Sequence, residues 1–142
     1  MSRWKKLRTV LVVLLLFLGD YLYWTLPLPL DSCLPEAVHS SVKAELIGHD
    51  SFFTPQTIEV ETDMVTDILD AVKRTEVTRR PRFGSMSEPF FYLYLYYPDG
   101  YTRMTVVENG DISVVPDHLS DRQIYFDGGD ELYRTLLQLA EK

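Results

Sequence analysis

The sequence predicts an α+β protein in which an N-terminal transmembrane helix precedes a mainly antiparallel sheet with two helices packed on one face. Three patterns indicate this class: a basic then apolar N-terminal segment, two stretches with apolar residues at helical spacing, and several short strand-like runs between turn signals. We expect an anchor at residues 1–30, a linker at residues 31–40 and one extracytoplasmic domain at residues 41–142, with the element order ββαββββα.

The N-terminal segment has the charge order of a signal anchor. Basic residues precede an apolar run at residues 9–19, with its centre at Leu11, Val12, Val13, Leu14, Leu15, Leu16, Phe17 and Leu18. The positive-inside rule keeps the basic end in the cytoplasm and sends the following domain outward. The apolar character continues to residue 30, which is long enough to span a membrane, although Pro27 ends the helix near Leu26. We predict a single-pass protein of the cell membrane, with secretion after signal cleavage as the alternative.

Aromatic residues and a lone cysteine follow the apolar run. Tyr21, Tyr23 and Trp24 are predicted to form the aromatic belt at the outer membrane interface. Cys33 is the only cysteine, so an intramolecular disulfide is excluded. A leucine three positions before Cys33 is typical of a lipobox, but the charged Asp31 is not. A free or intermolecularly paired thiol is therefore the first interpretation, and lipidation is the alternative.

The domain begins with two strand patterns and a helix pattern. Residues 42–47 and 57–61 have strand character and flank a turn-rich stretch. Thr62 or Asp63 then begins an amphipathic helix of about three turns.

Four further strands and a closing helix complete the pattern. The strands are predicted at residues 90–97, 102–107, 112–115 and 123–126. Asn109 with Gly110 is the pair that a two-residue type I′ hairpin turn prefers, and Gly128 with Gly129 leads into a C-terminal amphipathic helix.

This arrangement resembles a known class of domains. The features that carry the resemblance are a helix with a basic end, a loop with serine and proline, a tyrosine-rich strand, a hairpin and a closing helix, at residues 63–74, 85–89, 90–97, 109–115 and 130–142. The pattern is similar to small extracytoplasmic domains of unknown function from Firmicute-type bacteria. The resemblance implies a membrane-anchored or secreted protein and implies no particular activity.

Charge and histidine spacing exclude several functions. The first 33 residues carry four basic and two acidic side chains, whereas the remainder carries ten basic and 19 acidic ones. Nucleic-acid binding is not expected, because phosphates are bound by clustered lysine and arginine. His39, His49 and His118 lack metal-ligand spacing, so we predict no metal site and no cofactor. The acidic stretch at residues 127–131 is interpreted as a helix start, with a calcium-loop fragment as the alternative.

Two groups of residues are candidates for binding. The first is an anion site in a basic loop and the preceding helix end, formed by Lys73, Arg74, Arg79, Arg80 and Arg82; the alternative is that these residues balance acids such as Glu76 and Glu88. The second is the aromatic strand, where alternation places Tyr92, Tyr94 and Tyr96 on one face. That face is either half-covered by the long side chains of neighbouring strands, or it forms a surface that packs a partner or stacks on sugars.

These observations favour a membrane-anchored binding or interaction module of the bacterial cell envelope without catalytic activity. Its expected partners are the membrane and an envelope polymer or a protein. The acid and histidine neighbours at residues 49–50 and 117–118 lack a nucleophile motif and are interpreted as loop residues. The alternatives are a small envelope hydrolase or transferase, and an inhibitor or immunity-type protein that binds a basic partner.

Overall fold

The fold combines helices with one large antiparallel sheet, as the sequence predicts. A computed structural model describes residues 2–49, 56–60, 62–81, 89–117, 119 and 122–141. Its α-helices are α1 (Arg3–Thr25), α2 (Thr62–Arg74) and α3 (Asp130–Ala140). Its strands are β1 (Leu28–Pro29), β2 (Lys43–His49), β3 (Gln56–Val60), β4 (Glu76–Arg80), β5 (Phe90–Tyr97), β6 (Gly100–Val107), β7 (Ile112–Val115) and β8 (Ile124–Asp127). Short 3-10 helices at Leu30–Cys33 and Glu36–Ser40 lie between β1 and β2.

The sheet contains two strands that the sequence pattern does not indicate. Its order is β1-β4-β8-β7-β6-β5-β2-β3, and every neighbouring pair is antiparallel. The sequence predicts a loop around Arg79 and Arg80, where the structure has β4. Only one residue of β4, Val77, is a buried residue of the hydrophobic core. It becomes a strand through pairing, with Val77 opposite Leu28 of β1 and Arg79 opposite Phe126 of β8. The predicted chain order therefore lacks β1 and β4.

The hydrophobic core lies against one side of the central strands. In β5, Phe91, Leu93 and Leu95 are buried, whereas the residues between them are partly exposed. This alternation follows the two-residue period of a strand. Buried residues of α2 and α3 belong to the same core cluster, and the ring of Tyr133 in α3 contacts Phe91 with 5.3 Å between centroids.

The segment predicted as a linker contributes to this core. Leu30 and Val38 have no exposed surface, and Leu34 is buried as well. The backbone N–H of Leu30 also donates a hydrogen bond to the carbonyl of Thr75 at 2.9 Å. Residues 30–40 are therefore packed against the body of the domain, which is not what a free linker would show.

The hairpin between β6 and β7 is confirmed, but its predicted turn type is wrong. A type I′ turn needs positive φ at two successive residues. Among the described residues only glycines have positive φ, and in this loop that residue is Gly110, at 98°. Asn109 does not have positive φ, so the type I′ requirement is not met. The loop has three residues between Val107 and Asp111, and the Asp111 carbonyl accepts a 2.9 Å hydrogen bond from the Val107 N–H. The loop fits a type I turn closed by a glycine bulge.

Helix α1 is long and apolar enough to cross a membrane. It has 23 residues, and none of them is buried by the rest of the described chain. It ends at Thr25, one residue before the predicted end at Leu26, and only Leu26 and Pro27 separate it from β1. The C-terminal end of α1 contacts β4, so this end is held against the sheet.

Candidate functional site

The partly exposed side of the central strands forms an aromatic surface. Strand pairing places Tyr96 opposite Tyr101 and His49 opposite Phe90, so rings from β2, β5 and β6 lie on one side. We call the set Phe90, Tyr92, Tyr94, Tyr96, Tyr101 and His49 the aromatic face. All six are partly exposed. The described part of the chain therefore shows these aromatic residues at a surface, where they are partly covered by their neighbours.

Rings of the aromatic face pack against one another in two groups. The rings of Tyr94, Tyr96 and Tyr101 contact one another, with centroid distances of 5.7 to 6.1 Å. Phe90 stacks on His49 at 4.7 Å and contacts the edge of Tyr92 at 5.2 Å. Side chains in strands stand roughly perpendicular to the sheet. The rings consequently turn their planes toward each other and present edges and hydroxyl groups to solvent.

Cationic side chains border both groups of rings. Lys43 Nζ lies 5.8 Å from the ring centroid of Tyr96, and the Arg103 guanidinium lies 5.6 Å from that of Tyr92. These are cation–π distances, at which the negative ring faces stabilise the positive charge. In a protein with formal net charge −7, the aromatic face is thus bordered by positive charge.

One carboxylate enters the aromatic face and is held there. The Tyr96 hydroxyl donates a hydrogen bond of 3.2 Å to Glu45 Oε2. Desolvation raises the pKa of Tyr96, and the negative charge of Glu45 and this hydrogen bond raise it further. The phenol therefore stays protonated and donating at physiological pH.

Small polar residues lie beneath the rings. Thr105 of β6 pairs with Tyr92, and Ser113 of β7 pairs with Thr105, so both are on the side of the aromatic face. Each is buried even though it is polar. Long neighbouring side chains shield them from water, so the surface is a continuous layer over the strands rather than a set of isolated rings.

The predicted basic cluster is divided between a helix and a strand. Arg79 and Arg80 are successive residues of β4 with different partners, although both line the cavity beside the end of α1. Lys73 and Arg74 end α2, as the sequence predicts, and they are not among the described lining residues. Arg82 lies outside the described residues. Arg79 and Arg80 therefore lie in a strand and not in the predicted loop.

Arg80 is neutralised by carboxylates. Its guanidinium approaches Asp127 at 3.1 Å and Asp111 at 3.5 Å, and the Asp111 side chain is only 8% exposed. Charge balancing is thus the role that the structure shows for this residue, with Asp111 and Asp127 as partners. Glu88, one of the acids named in the prediction, lies outside the described residues. Asp127 also accepts a hydrogen bond from the Gly128 N–H at 2.9 Å, so the stretch proposed as a calcium-loop fragment contains an arginine-paired carboxylate.

Arg79 contacts the end of α1 instead. Its Nη1 donates a hydrogen bond of 3.3 Å to the carbonyl oxygen of Tyr23, and its guanidinium lies 4.3 Å from the centroid of the Tyr23 ring. Trp24 packs edge-on against the same ring at 5.0 Å. Among the described residues, no carboxylate lies within ion-pair distance of Arg79.

A cavity of about 420 Å³ opens where α1 meets the sheet. We call it the junction cavity. The described residues that line it include aromatic, cationic and thiol side chains, namely Tyr23, Trp24, Cys33, Arg79, Arg80, Arg122 and Tyr125. Sequence reasoning did not include Arg122, because it is distant from the other arginines in the chain and reaches them only through the pairing of β8 with β4.

Cys33 is half-buried at this cavity. Partial burial raises the pKa of its thiol, while a hydrogen bond with Ser32 and the positive charge of Arg79 act in the opposite direction. The net increase favours the neutral thiol, which is a weak nucleophile.

No family model, curated protein or solved structure matches this chain.

Proposed function

We propose that this chain is a membrane-anchored extracytoplasmic module of the cell envelope that binds a protein partner through the aromatic face. The observation that carries the proposal is the layer of partly exposed tyrosines bordered by Lys43 and Arg103. Tyrosine and arginine are enriched in the residues that contribute most to protein interfaces, since they combine apolar area with directional polar groups.

A protein partner is favoured over an envelope polymer by the orientation of the rings. Sugar stacking needs a ring plane turned toward the ligand. Tyr94 and Tyr96 instead stack on each other with 15° between their planes, and the Tyr92 ring lies against Arg103. The edges and hydroxyls that remain are suited to an interface with hydrogen-bond acceptors, and the two cations favour carboxylates on the partner.

Location outside the cytoplasm is supported by α1 and by the charges around it. α1 is long and apolar enough to span a membrane, and the basic residues lie at its N-terminal end. The resemblance to small extracytoplasmic domains agrees with this orientation. A reporter enzyme that is active only outside the cytoplasm, fused after Lys142, should therefore be active. Activity of a cytoplasm-only reporter at the same position would contradict the orientation.

The binding proposal is tested by photo-crosslinking in the cells that express the protein. A benzophenone amino acid at Tyr94 is expected to give a discrete adduct that protease digests. The matched control carries the same amino acid at Arg134, which is exposed on α3. Charge reversal of Arg103 should reduce the Tyr94 adduct, because the carboxylates of the partner would lose the cation with which they pair. A Tyr94 adduct no stronger than that at Arg134 would contradict the proposal, and one digested only by glycan hydrolases would identify a polymer as the ligand.

A further inference from the structure

The junction cavity is separate from the aromatic face and lies at the end of α1. Tyr23 and Trp24 belong to the last turn of this helix, and Arg79 is bonded to the Tyr23 carbonyl at 3.3 Å. If α1 spans the membrane as proposed, its terminal aromatic residues mark the outer interface. The interfacial layer on each side of the hydrocarbon core is roughly 5–7 Å thick, so the Arg79 guanidinium lies at headgroup depth.

The length of the apolar segment supports the same depth. Arg79 and Arg80 lie beside the last turn of α1, so the hydrocarbon core must end before Tyr23 for these charges to remain hydrated. The helix from Trp4 to Tyr21 contains 18 residues, which extend about 27 Å at about 1.5 Å each. This length matches the thickness of the hydrocarbon core, provided that the long basic side chains near the start of the helix extend to the inner interface. The cavity then opens among the lipid phosphates.

The charges at the cavity match an anion. Arg80 is already paired with Asp127 and Asp111. Among the described residues, the polar and ring partners of the Arg79 guanidinium are a carbonyl oxygen and a tyrosine ring, neither of which cancels its charge. The ring lies 4.3 Å from the guanidinium and the Tyr23 carbonyl accepts from Nη1, so the remaining N–H groups are the ones that can donate to phosphate oxygens. Arg122 is also among the residues that line the cavity.

We propose that the junction cavity binds the phosphate of an anionic phospholipid from the outer leaflet, with Arg79 as the principal donor. The aromatic side chains of Tyr23, Trp24 and Tyr125 would contact the glycerol and upper acyl region, since indole and phenol rings partition to this depth. The inference rests on the proposed membrane anchor, because only an anchored chain holds the cavity at the lipid surface.

The test uses the full chain in nanodiscs of phosphatidylcholine that contain a minor fraction of phosphatidylglycerol. Native mass spectrometry after mild detergent release counts the phosphatidylglycerol molecules retained on each chain. We expect Arg79→Gln to lower this retention at least about fivefold, the factor that corresponds to about 1 kcal/mol per basic residue near an anionic surface. Arg134→Gln removes one exposed charge from α3, outside the cavity lining, and should leave retention unchanged.

A second readout reports the cavity itself. Cys33 lines the cavity, so a bound phospholipid should slow its alkylation in the parent protein. Phosphatidylglycerol should have no such effect in Arg79→Gln, and Arg79→Lys, which keeps the charge but loses the planar fork, should show partial protection. Far-UV circular dichroism of the variants confirms that the sheet is intact, and Arg79→Lys serves as the test if Arg79→Gln does not fold.

Three outcomes would overturn the inference. Equal retention by Arg79→Gln and Arg134→Gln would show that phosphatidylglycerol binds through diffuse charge only. Displacement of the lipid by inorganic phosphate at physiological concentration would identify a free-anion site instead. Release of the chain from membranes by alkaline carbonate would contradict both the membrane anchor and the lipid site. Carbonate resistance together with no effect of Arg79→Gln would contradict the lipid site alone.

Discussion

Replacement of Leu30 by alanine tests whether the segment after α1 belongs to the cooperative domain. Leu30 is fully buried, and its backbone is bonded to Thr75 at the end of α2. The substitution removes three buried carbon atoms at about 0.8 kcal/mol each, which gives about 2.4 kcal/mol if the surrounding residues collapse completely into the space. A rigid site adds a cavity term that raises the cost to as much as about 5 kcal/mol.

The assay is urea unfolding of the full chain in detergent, followed by the near-ultraviolet circular dichroism of the tyrosines. We expect Leu30→Ala to lower the free energy of unfolding by about 2.5–4 kcal/mol with little change in the denaturant slope. The control is Leu119→Ala, which removes the same atoms from a side chain that is 81% exposed. If Leu30→Ala costs less than about 0.5 kcal/mol, as a surface substitution does, then the segment after α1 does not belong to the cooperative domain and residues 31–40 are a linker as the sequence predicts.

Two further predictions concern charged and phenolic groups. Arg80→Met should lower the free energy of unfolding by about 1–2 kcal/mol, because it leaves the buried Asp111 carboxylate without its cation, although partial exposure of Arg80 weakens the effect. A double-mutant cycle with Asp111→Asn should show coupling, and additive losses would contradict the pairing. Because the pKa of Tyr96 is raised above 10.0, its stabilising contribution should be present below that pH and be lost as pH rises through the folded-state pKa. Unfolding curves should therefore show a steeper alkaline loss for the parent than for Tyr96→Phe, and equal slopes would indicate that Tyr96 is not perturbed.

Elements with a strong local pattern were predicted from the sequence with their bounds. β5 was predicted at its observed residues because eight consecutive aromatic and leucine residues leave no other assignment. α2 and α3 were predicted because their buried residues, such as Ile68 and Leu136, recur at helical spacing. In each case the information is contained within one element, and no distant partner is needed.

Elements defined by distant partners could not be predicted in this way. β4 has one residue in the hydrophobic core, and its assignment depends on pairing with β1 and β8, which are remote in the chain. The contacts of the predicted basic cluster could not be predicted for the same reason, because Arg79 and Arg80 contact α1, Asp111 and Asp127, which are remote in the chain. The packed segment after α1 did contain a signal: Leu30, Leu34 and Val38 recur every four residues, a helical period that the intervening Pro35 obscures.

Two neighbouring residues of β4 make different contacts. Arg79 contacts the end of α1 and lines the junction cavity, while Arg80, which also lines that cavity, pairs with Asp127 and Asp111. The short β1 and the end of α1 cover the outer edge of β4, an edge that would otherwise present unpaired backbone groups to other chains. Only two residues separate α1 from β1, and both elements are bonded to β4. The domain is therefore fixed against the end of α1, so a spanning α1 would hold the aromatic face at a defined angle to the membrane.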